Sequence, residues 1–186
     1  MQINHLNYLH FKNFLARDDF IKIANYVESQ DFDWYWRDTA TSFDTAHNFI
    51  HMLYRTTLKE DGTAQIFKTS HWNFFEDLLM SILKAFNGKY ICHAKFVLHS
   101  QRTQVSYTAP HYDLVDINRE PISEAPIRIL IMNFTTCNGG TQIGGIDVPS
   151  VANTAVLFDN KVSHCGIMQS DKPRRLLLNF CFEEND

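Results

Sequence analysis

Apolar residues recur with a helical period in two segments of the first half of the chain. Between residues 17 and 30 they stand three or four positions apart, at Phe20, Ile23, Ala24 and Val27. Asp18 and Asp19 fall in the first turn of this segment, where carboxylates interact favourably with the helix dipole. The pattern predicts an amphipathic helix that packs against a core.

A second and stronger helical pattern covers residues 71–86. Its apolar stripe consists of Phe75, Leu78, Leu79, Ile82, Leu83 and Phe86. Ser70 is the predicted N-cap, and Asn87-Gly88 the predicted end.

From residue 90 onward the period changes to that of strands, which we predict at 90–99, 127–135, 141–148, 154–158 and 174–182. Earlier segments, 47–55 and 64–68, also have strand character, and residues 1–16 suggest a short edge strand. Helices followed by a run of strands favour an α+β fold with a double-stranded β-helix (jelly-roll) core. We expect one domain over residues 1–186, with a helical buttress and flanking strands in 1–89 and the jelly-roll core in 90–186.

The composition of the chain argues against nucleic acid and membranes as binding partners. A chain of 186 residues that is 45% hydrophobic can bury one sizeable core. Its net charge of −4 argues against a nucleic-acid surface, and no long uncharged apolar run predicts a membrane span. No Cys-x-x-Cys pair and no signal-like N-terminus occur, so we expect reduced thiols and a cytoplasmic location.

The candidate chemistry lies in the second half of the chain. His111 and Asp113 flank one residue, so in an extended segment both side chains leave the same face. His164 stands far along the chain, and a strand that returns across a barrel would supply it as a third ligand. Two imidazoles and one carboxylate that leave open positions are typical of non-haem Fe(II) oxygenases.

Arginines near the C-terminus offer a carboxylate anchor, because a guanidinium is a rigid fork for a carboxylate. Arg174, at the start of a predicted strand, is the first candidate, and Arg175 is the alternative. Tyr107, shortly before His111, is a candidate polar contact to a co-substrate or substrate, with core packing as its alternative.

Five elements in order carry a family resemblance. They are His111-Tyr112-Asp113, Gly139-Gly140-Thr141, Ala155-Val156-Leu157-Phe158, His164 and Arg174. This order resembles the 2-oxoglutarate and Fe(II)-dependent oxygenases, most closely their prolyl 4-hydroxylase-like branch. Leu176 departs from the pattern, since family members often have a small or hydroxyl residue there.

The resemblance implies a dioxygenase in which His111, Asp113 and His164 bind Fe(II) and Arg174 binds the distal carboxylate of 2-oxoglutarate. It implies hydroxylation of a C–H bond with dioxygen, release of succinate and CO2, and ascorbate as an optional cofactor. The implied substrate is a prolyl residue in a peptide or free proline. Two alternatives stay open, a non-catalytic metal-binding jelly roll and a cupin-type metalloenzyme that does not use 2-oxoglutarate.

The segment 114–126 is polar and contains Pro121 and Pro126. We predict a loop over the mouth of the barrel that serves as a lid.

Overall fold

A computed structural model describes residues 2–4, 7–39, 47–58, 63–116, 118–122 and 125–185. In these residues the chain forms two helices and thirteen strands. The helices are α1 (Arg17–Val27) and α2 (Trp72–Ala85). The strands are β1 (Gln2–Asn4), β2 (Leu9–Lys12), β3 (Tyr35–Arg37), β4 (Asn48–Leu58), β5 (Ala64–Lys68), β6 (Gly88–Ser100), β7 (Ser106–Tyr107), β8 (Ile127–Asn133), β9 (Gly140–Ile143), β10 (Ile146–Pro149), β11 (Thr154–Asp159), β12 (His164–Met168) and β13 (Arg174–Glu184).

From β6 onward the strands are divided between two antiparallel sheets, and only β9 and β10, which form a hairpin, follow each other in the same sheet. The larger sheet has the order β1-β2-β11-β8-β13-β6-β4-β3, with β5 paired to β4. The smaller sheet has the order β10-β9-β12-β7. Eight strands, β6 to β13, therefore wind back and forth between two facing sheets, which is the double-stranded β-helix. The predicted α+β jelly roll is confirmed.

The two faces of the larger sheet have different partners. Strand β13 turns Leu176, Leu178, Phe180 and Phe182 outward, where they pack in one apolar cluster with residues of both helices. Its alternate residues point between the sheets, where Leu177 and Cys181 join Val97, Ile129, Ile143 and Phe158 in a second cluster. This period-two division follows from strand geometry, and it leaves the inner face free to carry polar side chains at one end.

The helices start and end close to the predicted positions. Asp18 and Asp19 lie in the first turn of α1. Asn87 ends α2 in a left-handed conformation with φ 53°. The predicted Ser70 cap is wrong, because the N-cap position of α2 is His71 and makes no side-chain capping bond. A backbone hydrogen bond from Trp72 to Thr69 forms the first turn instead. Neither described helix is long and apolar enough to cross a membrane.

The smaller sheet differs most from the prediction. The predicted single strand at 141–148 is a hairpin, in which β9 and β10 are joined by Gly144 and Gly145 at positive φ. Two glycines with φ above zero suit the tight turn that a right-twisted hairpin needs. Strands β7 and β12 were not among the predicted strands. In the loop 114–126, residues 117, 123 and 124 lie outside the described part, and no described residue of the loop lines the cavity between the sheets.

Candidate active site

Two histidines face each other across a backbone bridge. His111 and His164 exchange both backbone hydrogen bonds, at 2.9 and 3.1 Å. Residues directly opposite in an antiparallel pair place their side chains on the same face. The two imidazole rings therefore lie 4.5 Å apart, with His164 also against Phe158.

Asp113 reaches the same place because it stands two residues after His111. Its Oδ2 atom lies 3.5 Å from Nε2 of His164. One nitrogen of His111, one oxygen of Asp113 and one nitrogen of His164 all lie within 4.8 Å of one another. Three donors at this spacing can converge on one ion, so the structure brings together the three predicted metal ligands.

The protonation states suit metal binding. Burial, and next the neighbouring His164, lower the pKa of His111, so its imidazole is neutral. Nδ1 of His111 lies 3.2 Å from the carbonyl oxygen of Ala109, and in the tautomer that donates there the Nε2 lone pair is free for a metal. Burial alone would raise the pKa of Asp113, but Lys95 and His164 hold that pKa well below its usual range.

Asp113 is held by a chain of buried groups. Asn179 donates a hydrogen bond of 2.8 Å to Oδ2, and the Lys95 ammonium lies 3.4 Å from Oδ1. His93 Nε2 lies 2.7 Å from the side-chain oxygen of Asn179. Burial is the main cause that lowers the pKa of His93 to about 4, so the neutral ring donates to Asn179 and fixes the direction of its amide.

A second group of donors, His93, Asp113 and Cys181, also lies within metal-binding distance. Burial, and then the charge of Asp113, raise the pKa of Cys181 well above its usual value. The thiol therefore keeps its proton and donates weakly to Asp113 across 3.8 Å. We interpret this group as support for Asp113 rather than as a metal site, because a thiolate is the form that binds metal.

Arg175 lies at the closed end of the same cavity and is fully buried. Its Nη2 donates to Oγ1 of Thr141 at 3.0 Å and to Oδ1 of Asn133 at 3.4 Å. Its Nε and Nη1 atoms have no hydrogen-bond partner among the described residues. Burial lowers its pKa to about 10, so the guanidinium is still charged at neutral pH. A buried cation without a carboxylate is costly, and an anionic ligand would remove that cost.

The predicted position of Arg174 is wrong. Its side chain is half exposed and pairs with Glu28 at 2.7 Å, on the helix side of the large sheet. Successive strand residues point to opposite faces, so only one of two adjacent arginines can enter the cavity. That residue is the alternative, Arg175.

Tyr107 is also placed outside the cavity. The residue is 53% exposed, and its hydroxyl donates to Oδ2 of Asp147 at 2.7 Å. Neither the predicted contact to a co-substrate nor the alternative of core packing describes this surface position.

Comparisons of the fold give consistent results, whereas comparisons of the sequence give none. No family model and no curated protein matches this sequence. An oxidoreductase of the 2OG-Fe(II) oxygenase family from Burkholderia pseudomallei superposes with a TM-score of 0.69 at 10% identity, over 98% of this chain and 87% of that one. The chain has the fold of the 2-oxoglutarate/Fe(II) oxygenases.

Two further structures with this oxygenase fold carry more specific names. A Pseudomonas putida prolyl-4-hydroxylase has a TM-score of 0.60 at 14% identity, over 97% of this chain and 94% of that one. HygX from Streptomyces hygroscopicus, solved with nickel, 2-oxoglutarate and hygromycin B, has a TM-score of 0.62 at 9% identity, over 96% of this chain and 83% of that one. At these identities the likeness establishes the oxygenase fold.

Several residues of the site were not predicted from the sequence. They are the polar residues around Asp113 and Arg175, namely His93, Lys95, His99, Asn133 and Asn179. A signal for three of them exists in β6, where His93, Lys95 and His99 share one face and Ala94, Phe96 and Leu98 the other. A strand with an apolar outer face and a polar inner face indicates a lined cavity.

Proposed function

We propose that this protein is an Fe(II)- and 2-oxoglutarate-dependent dioxygenase that hydroxylates a C–H bond. One observation carries the proposal: a His-Asp-His group lies in the same cavity as a fully buried arginine that has no carboxylate partner among the described residues. The His-Asp-His group would hold a metal ion, and the arginine would bind the distal carboxylate of a dicarboxylate that is coordinated to this ion.

His111, Asp113 and His164 would be the metal ligands. Two imidazoles and one carboxylate form the donor set that Fe(II) takes in non-haem oxygenases, and they leave positions open for other ligands. Asn179 and Lys95 hold the carboxylate in place before the metal arrives. Partners of this kind orient a ligand and raise its affinity for the metal.

Arg175 would anchor 2-oxoglutarate. Its two unpartnered nitrogens offer a bidentate contact to a carboxylate, and Thr141 already fixes the guanidinium from one side. His99 lies directly opposite on β6, and burial is the main cause that lowers its pKa to about 3. A neutral His99 adds polarity without a second charge beside the anchor.

With Fe(II) and 2-oxoglutarate bound, the centre supplies dioxygen activation coupled to decarboxylation of the co-substrate to succinate and CO2. The residues of this chain bind and orient the reactants. Apolar side chains that line the cavity, among them Val97, Ile131 and Leu177, keep water away from the centre.

Proline is the first substrate to test, either free or as a prolyl residue in a peptide. The resemblance of the motifs to the prolyl 4-hydroxylase-like branch supports this choice, as does the name of the Pseudomonas putida neighbour. We further propose a cytoplasmic location, which the four free cysteines support.

Succinate formation tests the proposed function. Purified protein, Fe(II), 2-oxoglutarate and air should yield succinate even without a substrate, at the slow rate of uncoupled turnover. The matched control is His111→Ala combined with His164→Ala, which removes two of the three metal ligands. If the two proteins form succinate at the same rate, the proposal is wrong.

A further inference from the structure

The cavity contains more positive charge than the proposed metal and co-substrate require. We propose that Arg37 and Asn48 form a second anion subsite at its solvent end, which binds a carboxylate or phosphate group of the substrate. This inference rests on the proposed function for the metal and for 2-oxoglutarate. It names the class of substrate, an oxyanion-bearing small molecule or chain end.

Strand pairing places the two residues together. Arg37 on β3 is directly opposite Asn48 on β4, so the two side chains share one face of the sheet. Both line the cavity that also contains the His-Asp-His group and Arg175. Arg37 is exposed whereas Arg175 is fully buried, so the two guanidinium groups mark the open and the closed end.

Asn48 is the observation that points to a ligand. The residue is only 4% exposed, and its Oδ1 atom has no hydrogen-bond partner among the described residues. A buried amide oxygen without a partner costs about 1–3 kcal/mol, so such a group is normally satisfied by something. Because this oxygen is an acceptor, it requires an N–H or O–H donor of the ligand, such as the amino group beside the carboxylate of an amino acid or a hydroxyl beside a phosphate. The oxyanion itself would be bound by the Arg37 guanidinium and by Nδ2 of Asn48, since the amide nitrogen is the donor of a carboxamide.

The charged side chains that line the cavity indicate that the ligand is an anion. Of the described residues that line the cavity, three have basic side chains, Arg37, Lys95 and Arg175, and one has a carboxylate, Asp113. A dianionic co-substrate together with Asp113 would balance a divalent metal and Arg175. Lys95 and Arg37 then remain in excess, in a chain whose net charge is −4. Such a pocket favours an anion and disfavours a neutral or cationic group at the same place.

The subsite distinguishes between the two forms of proline. Free proline presents a carboxylate, whereas a prolyl residue inside a peptide presents a neutral amide at that position. The subsite therefore favours free amino acids, C-terminal residues or phosphorylated small molecules over internal peptide segments.

The test compares anionic probes with their neutral counterparts. One arm uses free amino acids, L-proline first, against their primary amides, and the other uses phosphomonoesters against the unphosphorylated alcohols. Calorimetry under anaerobic conditions gives the dissociation constant of each probe for protein loaded with Mn(II) and 2-oxoglutarate. The second readout is the rate of succinate formation, which an anionic probe should increase more than its neutral counterpart does.

We expect the wild type to bind at least one anion about 10- to 100-fold more tightly than its neutral counterpart, the range of a charge-assisted hydrogen bond. Arg37→Ala should abolish this preference, and Arg37→Lys should restore part of it. Arg174→Ala is the matched control, because Arg174 is an exposed arginine outside the cavity, and it should keep the preference. Equal thermal unfolding temperatures of the two alanine variants would show that both are folded.

The inference is overturned if no anion in either arm binds more tightly than its neutral counterpart, or if Arg37→Ala keeps the preference. The arm that responds identifies carboxylate or phosphate. Failure of the wild type to bind Mn(II) and 2-oxoglutarate would instead contradict the proposed function. The comparison of probes is then run on the metal-free protein, in which the Arg37 subsite should still bind the anionic probe more tightly than its neutral counterpart.

Discussion

Asp113 is held at the centre of the site by neighbours on two adjacent strands. Lys95 comes from β6 and Asn179 from β13, and these two residues are directly paired in the sheet. The amide of Asn179 cannot turn over freely, because its oxygen accepts from His93 while its nitrogen donates to Asp113. A ligand fixed in this way loses little freedom when a metal binds.

Removal of the Asn179 amide should therefore weaken metal binding. We expect Asn179→Ala to lower the affinity for Mn(II) about 10- to 100-fold, the usual effect of losing a partner that orients a ligand. Calorimetric titration of the purified variant measures it. Asn138→Ala is the control, since Asn138 is an exposed residue that bonds to Ser170 on the surface. Unchanged Mn(II) affinity in Asn179→Ala would show that Asp113 does not depend on this bond.

The two adjacent arginines show how much the sequence can predict about the position of a single residue. The motif order predicts a basic residue at the start of the last strand, and one is present. The sequence also contains the information that selects Arg175, because Arg174 shares its face with Leu176, Leu178, Phe180 and Phe182. An uninterrupted apolar face is the one that helices cover, so the cavity must lie on the face of Arg175 and Asn179.

Helix α2 is the element that covers the outer face of the large sheet. Phe75 is 1% exposed and contacts Phe32 and Phe96 there, whereas its neighbour Phe74 is at the surface against Tyr26. Phe75→Ala should lower the free energy of unfolding by about 3–5 kcal/mol, the cost of a large cavity in a core. Phe74→Ala should cost less, about 1–2 kcal/mol, because Phe74 is 36% exposed and its removal leaves no enclosed cavity.

Urea unfolding of both variants measures this difference. Similar losses for Phe74→Ala and Phe75→Ala would mean that α2 does not pack through Phe75.

The central strands of the large sheet were predictable, whereas β7 and β12 of the small sheet were not. Strands β6, β8, β11 and β13 are long or strongly apolar, so each is recognisable as a buried strand from its own residues. Strand β7 has two residues, and β12 is paired only with residues distant in sequence. Short strands stabilised by distant partners leave little local signal, so their existence follows from the fold rather than from the pattern.

At the scale of the whole molecule, the sequence predicted the His-Asp-His group that the structure brings together, but not the residues around it. His111 and Asp113 are linked by local spacing, and family order supplies His164. Lys95, Asn179 and Asn133 act through cross-strand register, which depends on where each strand begins and on which neighbour it has. That register is a property of the assembled sheets.

The buried histidine at the closed end makes stability depend on pH. Burial, then Arg175 and Arg102, lower the pKa of His99 from 6.5 to about 3. The unfolded chain takes up this proton near pH 6.5 and the folded protein does not, so stability is greatest above pH 6.5 and falls as the pH drops toward about 3. Between about pH 7.5 and pH 5 the loss from one such group is on the order of 2 kcal/mol.

Urea unfolding of the metal-free protein at both pH values measures this dependence. His99→Gln should reduce the loss of stability between them, because glutamine does not titrate. The same loss in the wild type and in His99→Gln would contradict a neutral buried His99.

The central claim is that the buried arginine opposite the His-Asp-His group binds 2-oxoglutarate. The most direct measurement is the dissociation constant of 2-oxoglutarate for the Mn(II)-loaded protein, by calorimetry without oxygen, in the wild type, Arg175→Met and Arg174→Met. Methionine retains most of the side-chain volume, and thermal unfolding checks that each variant is folded.

We predict that Arg175→Met weakens 2-oxoglutarate binding about 10- to 100-fold or more, whereas Arg174→Met binds as the wild type does. No binding of 2-oxoglutarate by the wild type, or equal affinity in Arg175→Met, would contradict the account.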